Sequence, residues 1–353
     1  MSQDIRLLHV MAGRPHGGAE EFFTRLVIAL HQRGVCQELI IRRDPVRAAR
    51  LAANGVDCHQ SRFGVPWLDM LTHVRLRKVI SDFRPTLLLS WMNRATDFVA
   101  PHARHRNPRF AWAARLGGYY NLKYYRHCDY LIGNTPDIVD YFIAKNWPPT
   151  RTQLLPNFAG NETLPPLARA QFDTPEHAPL FLALGRLHPN KAFDTLLDAA
   201  AQVPGAYVWL AGEGEERAAL KAQAHRLRIQ DRIRFLGWRA DVPALYASAD
   251  FFICPSRHEP LGNVVLEAMA AARPIIAAKS QGPSQLIENG KTGILVTIDD
   301  ARAMAAAMQK MITDSAAAQQ LAVAARESYL QHYSEDSICE KYLSAFRRMQ
   351  EGS

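Results

Sequence analysis

Short apolar runs alternate with amphipathic stretches along this chain, in two successive series, and that rhythm narrows the possible folds more than any other feature. Residues 5–12 (IRLLHVMA) read as a buried strand stopped by Gly13. Residues 19–32 then carry Phe22, Phe23, Leu26, Val27 and Leu30 at helical spacing. Strands follow over 38–41, 86–90 and 130–133, with helices over 68–82 and 136–146. A strand that is apolar at nearly every position needs cover on both faces. Alternation with helices supplies that cover by winding a parallel sheet.

The rhythm breaks between residues 156 and 179, where Pro156, Gly160, Pro165, Pro166, Pro175 and Pro179 crowd together. It then restarts. Strands are expected over 180–184, 207–211, 233–236, 251–254 and 275–277. Helices are expected over 193–202, 216–227, 242–247 and 262–272, and from 301 to the end. The alanine-rich stretch 301–325 keeps its apolar positions at helical spacing, so it reads as ordinary helix. At 353 residues the chain is too long for one small core. The expected plan is an α/β domain over 1–160, a linker over 161–178, a second α/β domain over 179–333 and a terminal segment over 334–353. In open α/β sheets, ligands bind beyond the carboxyl ends of the strands. The loops after strands, lining a cleft between the two domains, are therefore where chemistry is expected.

Composition excludes several alternatives. Apolar residues are 48% and charged residues 22%, an ordinary globular balance and not that of a disordered chain. No apolar run approaches the roughly 18 residues of a spanning helix. Asp4 and Arg6 precede only a short apolar run, so no secretion signal is expected. Cys36, Cys58, Cys128, Cys254 and Cys339 are odd in number and scattered, which fits a reducing, cytoplasmic setting better than a disulfide framework or zinc cluster.

The net charge of +8 is unevenly placed. Residues 1–160 hold 22 basic and 12 acidic side chains, whereas 161–353 hold 20 and 22. The first half is thus expected to meet something anionic. Its cations include Arg42, Arg43, Arg47, Arg50, Arg75, Arg77, Lys78, Arg104, Arg106 and Arg109. Phe63, Val65, Trp67, Leu68, Met70 and Leu71 lie just before the Arg75–Lys78 group. Such a mixture fits an amphipathic patch on the anionic inner face of a plasma membrane. A core-facing stripe with solvated cations fits it equally. No nucleic-acid recognition pattern is present.

Three loops carry candidate chemistry. Residues 13–20 (GRPHGGAE) place Gly17 and Gly18 before a helix, where backbone could approach an anion; a tight turn is the alternative reading. Residues 185–191 (GRLHPNK) place Arg186 and Lys191 in a loop that opens a helix, a suitable clamp for a diphosphate. Residues 256–270 (SRHEPLGNVVLEAMA) place Glu259 in a loop after a strand. Gly262 starts a helix, and Glu267 lies about one and a half turns into it. The free amides at Leu261, Gly262, Asn263 and Val264 suit a phosphate, and the two carboxylates suit sugar or ribose hydroxyls.

These motifs, together with residues 236–238 (LGW), 249–256 (ADFFICPS) and 288–296 (ENGKTGILV), resemble the family 4 retaining glycosyltransferases of the GT-B fold. The resemblance covers most of residues 5–350 and is densest over 180–297. It implies two Rossmann-like domains facing across a cleft, with the last helix returning to the first. It implies that Glu267 binds ribose, Arg186 and Lys191 hold the diphosphate, and Glu259 contacts the transferred sugar. Gly17 and Gly18 would approach the diphosphate, and Trp238 and Arg239 would lie near the base. Glu259, Arg186 and Lys191 are the expected catalytic groups. No Asp-x-Asp occurs anywhere, so no metal and no cofactor are expected beyond the nucleotide sugar as substrate. The implied acceptor is lipopolysaccharide core or another lipid-linked glycan.

The chain departs from the family at several points. Residues 113–120 (AARLGGYY) lack the histidine that members carry near the sugar. Arg115 and Tyr119 are the nearest candidates on the acceptor side, with His16 beside the glycine pair and His127 as substitutes. Gln285 stands where glutamate is usual, and Phe158 where glycine is usual. A non-catalytic sugar-nucleotide-binding subunit is the alternative function. A nicotinamide oxidoreductase lacks its GxGxxG, a P-loop its first glycine before Gly290-Lys291-Thr292, a zinc hydrolase its second histidine after His258-Glu259, and a serine hydrolase its GxSxG.

Overall fold

A computed structural model describes residues 5–14, 17–103, 109–160 and 162–352. The chain forms two compact units, one of Met1–Phe158 with Glu335–Ser353 and one of Ala159–Ser334.

Unit 1 runs β1 (Arg6–Met11), α1 (Gly18–Gln32), β2 (Cys36–Arg42), α2 (Pro45–Ala52), β3 (His59–Ser61), α3 (Met70–Phe83), β4 (Leu87–Trp91), α4 (Met92–Ala103), β5 (Ala111–Leu116), β6 (Tyr130–Gly133), α5 (Pro136–Ala144) and β7 (Thr152–Leu154). All pairings in its seven-stranded sheet are parallel, in the order β3-β2-β1-β4-β5-β6-β7. Successive strand residues face opposite sides. Leu7, Leu39, Ile41, Leu87 and Leu89 therefore join α1 in one core, while Leu8, Val10, Ile40, Leu88 and Trp112 join α3, α4 and α5 in the other.

The C-terminal helix Glu335–Glu351 belongs to this unit. Ile338, Tyr342, Phe346 and Met349 are fully buried in the same cluster as Phe22 and Leu26. Arg33 at the end of α1 ion-pairs with Glu335 at 3.0 Å and with Asp336.

Unit 2 runs β8 (Leu180–Leu184), α6 (Phe193–Ala201), β9 (Tyr207–Ala211), α7 (Arg217–Arg226), β10 (Ile233–Gly237), α8 (Val242–Ser248), β11 (Phe251–Cys254), α9 (Asn263–Ala270), β12 (Ile275–Ala278), α10 (Gln281–Leu286), β13 (Ile294–Val296), α11 (Ala301–Thr313) and α12 (Ser315–His332). Its six strands are again parallel, in the order β10-β9-β8-β11-β12-β13. In both sheets the strand order reverses beside the first strand, which is where doubly wound folds open a ligand crevice. In unit 2 that point separates the loops after β8 and β11.

The proline-rich segment is fastened to unit 2. Arg169 donates to Ser248 O at 2.8 Å and Asp250 Oδ1 at 2.7 Å, and Trp209 Nε1 donates to Thr174 Oγ1 at 3.0 Å. No helix among the described residues is long and apolar enough to cross a membrane.

Candidate functional site

Three glycines let the loops beyond β8, β9 and β10 pack against each other. Gly185 N donates to Ala211 O at 3.0 Å, Gly212 N to Gly237 O at 2.8 Å, and Leu187 N to Glu213 O at 3.0 Å. Gly212 is the tightest point. Its φ is +148°, and a Cβ there would lie 1.9 Å from the carbonyl oxygen of Gly185. Backbone cannot yield like a side-chain tip, so Gly212→Ala is expected to cost about 3 kcal/mol or more. Urea denaturation checks this; a loss under about 1 kcal/mol would contradict the packing.

Across the reversal point, the loop after β11 is joined to the loop after β8. Arg257 N and His258 N both donate to Asn190 O, at 2.9 and 3.2 Å. The Arg257 guanidinium anchors the same loop from below. It bonds both oxygens of Asp194 on α6, at 3.0 and 2.6 Å, and its Nε lies 2.7 Å from Asp299. No local pattern singles out Arg257, because a lone arginine beside a site reads as a surface cation.

This junction brings Lys191 and Glu259 together. The Lys191 ammonium donates to Glu259 Oε2, and Ser256 Oγ lies 3.3 Å from the same oxygen. Burial alone would lower the Lys191 pKa. The Glu259 carboxylate outweighs that, raising it above the ordinary lysine range and keeping the group cationic near neutrality. Burial, with the nearby Glu259 charge, pushes the Cys254 thiol up to about 11, so it is no thiolate nucleophile. The Glu259 main chain is fixed too, since Gly282 N donates to its carbonyl at 2.7 Å.

Beyond Glu259, Gly262 at φ +79° turns the chain into α9. Val265 N and Leu266 N bond back to Gly262 O, at 2.8 and 3.1 Å. The amides of Leu261, Gly262 and Val264 then have no backbone acceptor among the described residues. They lie at the positive end of the α9 dipole and form a place for an anion. Asn263 and Glu267 are half-buried on α9. Ser280, at the end of the β12 loop, buries an Oγ that has no hydrogen-bond partner.

Arg186 shares the Lys191 loop but turns outward. Its guanidinium pairs with Glu215 at 3.0 Å on the exposed rim. Trp238 is 62% exposed after β10. Arg239 is held by both oxygens of Asp241, at 2.8 and 2.5 Å. Among the described residues, no three or more His, Cys, Asp or Glu side chains are grouped to hold a metal.

The unit 1 candidates are placed differently. Gly17 precedes α1 and Gly18 begins it. Glu20 folds back beneath this loop, accepting Arg14 N at 2.8 Å. A Cβ at Gly17 would lie 2.2 Å from its carboxylate oxygen and one at Gly13 2.5 Å from the other. The glycines thus make room for Glu20, whatever else they approach. His16, Arg104 and Arg106 lie outside the described residues.

Arg115 is not brought to an acceptor surface. It is 1% exposed, donates from Nε to Tyr342 Oη at 2.8 Å and from Nη2 to Asn157, and lies over the rings of Phe22 and Trp91 at 4.6 and 4.9 Å. Every one of these contacts ties β5 to its own core. Tyr119 is 44% exposed and packs edge-on against Tyr141. His127 sits on the surface loop beside Arg126.

The model of the family "Glycosyl transferases group 1" matches residues 166–328. The chain is 34% identical over 345 residues to lipopolysaccharide core biosynthesis glycosyltransferase LpsE of Rhizobium meliloti (strain 1021), covering 96% of this chain and 98% of that protein. LpsD of the same organism is 33% identical over 354 residues, covering 98% of both. Among solved structures, Anabaena HepE in complex with UDP and glucose matches with a TM-score of 0.84 at 21% identity, over 97% of this chain and 100% of that one. That last likeness is one of fold.

Proposed function

Because the chain belongs to the group 1 glycosyltransferases, built as the two parallel α/β units of the GT-B fold, we propose that it moves a hexose from a UDP- or GDP-sugar to lipopolysaccharide core or another lipid-linked saccharide. The proposal includes retention of the anomeric configuration and no need for a metal. The observation that carries it is the junction of the β8 and β11 loops, where Asn190 O receives two amides and Lys191 meets Glu259. The acceptor is suggested by the relatives LpsE and LpsD, whose names place them in lipopolysaccharide core biosynthesis.

Breaking the sugar–phosphate bond leaves two electrons on the departing diphosphate. The Lys191 ammonium and the α9 amides meet that charge without reorganising. Arg186 leaves Glu215 to reach the diphosphate. This exchange is inexpensive, because the pair is exposed and such pairs contribute little. Glu259 holds Lys191 ready and accepts hydroxyls of the sugar through its second oxygen. Glu267 accepts the ribose hydroxyls and Trp238 stacks on the base, with Arg239 at its edge. Unit 1, with its cationic surplus, takes the acceptor. The enzyme works on the cytoplasmic face of the membrane, where nucleotide sugars are made.

A thermal-shift panel of UDP, GDP and their sugars tests the donor. A ligand at about a hundred times its Kd adds about 2.7 kcal/mol to the folded state, which raises Tm by several degrees. Glu267→Ala is expected to abolish that shift. Turnover is expected to survive EDTA undiminished; loss on chelation with recovery on adding a divalent metal would refute the metal-free clamp. A flat panel would refute the donor assignment.

A further inference from the structure

We propose that the α3 end of unit 1 docks on a bilayer containing anionic lipid, with the segment before and at the start of α3 entering the interface. α3 buries Thr72, Leu76, Val79, Ile80 and Phe83 in its own unit. Its opposite face is also apolar at the N-terminal end. Trp67, Met70, Leu71 and Val74 follow at helical spacing and are 78, 65, 74 and 61% exposed, with Leu68 at 63% beside them. An apolar stripe of this length left in solvent is unusual for a soluble chain.

Side chains of its own unit hold the backbone of the segment in place. His73 Nε2 lies 2.6 Å from Pro66 O, and His73 Nδ1 lies 3.0 Å from His102 Nε2. A carbonyl only accepts, so Nε2 of His73 donates to Pro66 O. Arg94 donates to Phe63 O at 2.9 Å. Asp69 turns its carboxylate inward to Gly64 N and Thr72 N, at 2.9 and 3.1 Å. With these anchors the apolar side chains cannot collapse onto the unit and stay presented.

Charge decides the occupant. A groove of about 920 Å³ runs beside the stripe and is lined by Arg43, Arg62, Arg75 and Lys78. Of its two carboxylates, Glu38 is hydrogen-bonded to His59 Nε2 at 3.0 Å and Asp82 lies 3.8 Å from Lys78. Arg43 and Arg62 have no acidic partner among the described residues. An isologous contact with a second copy would set these cations against themselves. Anionic headgroups against the groove, with Trp67, Leu68 and Leu71 below the headgroup level, satisfy both surfaces at once.

The proposal draws on the lipid-linked acceptor only for its purpose, and its test needs neither donor nor acceptor. The full chain is sedimented with vesicles of phosphatidylcholine alone, or with about one-third phosphatidylglycerol. Binding is expected with the anionic vesicles and is expected to weaken in high salt. Arg75→Glu with Lys78→Glu, and separately Trp67→Ser with Leu71→Ser, are each expected to weaken binding roughly ten-fold or more. Arg226→Glu, on the exposed side of α7, is expected to change nothing. Equal binding to both vesicle types, or variants that bind like the wild type, would overturn the proposal. So would a concentration-dependent dimer lost in Leu71→Glu, which would assign the stripe to a second copy. If vesicles fail while UDP or GDP still raises Tm, the docking surface falls and the donor assignment stands. If vesicles bind and nucleotides give no shift, the donor assignment falls instead.

Discussion

Lys191→Met is expected to lower kcat by roughly 10²–10³-fold, the usual cost of removing one preorganised group from a developing negative charge. The fold is expected to survive, but with reduced stability. The substitution leaves Glu259 largely buried without the ammonium it is bonded to. Adding Glu259→Gln removes that orphaned charge, so the double variant is expected to recover stability without recovering turnover. Stopped assays with matched denaturation curves separate the two effects. A double variant within ten-fold of the wild type would show that the pair is only a structural clamp. Lys191→Arg is a poor substitute, because a planar fork replaces a compact point charge on a crowded loop.

Truncation after Ser334 is expected to leave unit 1 unfolded, although the lost segment lies far from the loops that hold Lys191 and Glu259 in the sequence. Ile338, Tyr342, Phe346 and Met349 are fully buried. At about 1.5–3 kcal/mol each, an upper estimate, their loss removes about 6–12 kcal/mol. Whole domains have only about 5–15 kcal/mol to lose. The truncation also removes Tyr342 Oη from Arg115, leaving a cation in the core with one partner fewer. Circular dichroism and proteolysis of the truncated chain provide the check. A truncated chain with native-like protease resistance in residues 5–158 would contradict this account of the core.

The two parallel sheets were legible because most of their strands are apolar throughout and bounded by glycine or proline. β5 was not. Its sequence, AWAARL, is alanine-rich and carries an arginine, so only Trp112 locally favours a strand; complete burial between β4 and β6 decides it. α4 was missed for a related reason. Met92 turns directly out of β4 at φ +59°, and Pro101 sits inside the helix, so the usual start and stop signals are absent.

At the candidate site, the acidic and basic motifs were legible as loops following β8 and β11, because spacing after a strand is a property of local sequence. Side-chain partners were harder to read. Arg115 was expected near an acceptor because it stands in the stretch where the resembling family carries a histidine. Its partner Tyr342 lies 227 residues away in sequence, beyond the reach of any local pattern. Arg186 and Lys191 looked equivalent on one loop, yet one meets Glu215 on the rim and the other Glu259 inside. Glu20 gave no signal beyond membership of a motif. Its role beneath Gly13 and Gly17 emerges only when the loop is folded.

The central claim is that Lys191, beside Glu259, binds the second phosphate of the donor. Calorimetric titration of UDP and GDP against UMP and GMP, on the wild type and on Lys191→Met, tests it directly. The wild type is expected to prefer the matching diphosphate by about ten-fold or more, as one extra charge-assisted contact provides. In the variant that preference is expected to shrink by about ten-fold, Arg186 and the α9 amides remaining, while monophosphate affinity is unchanged. A preference that survives the substitution undiminished, or an equal loss for mono- and diphosphate, would contradict it.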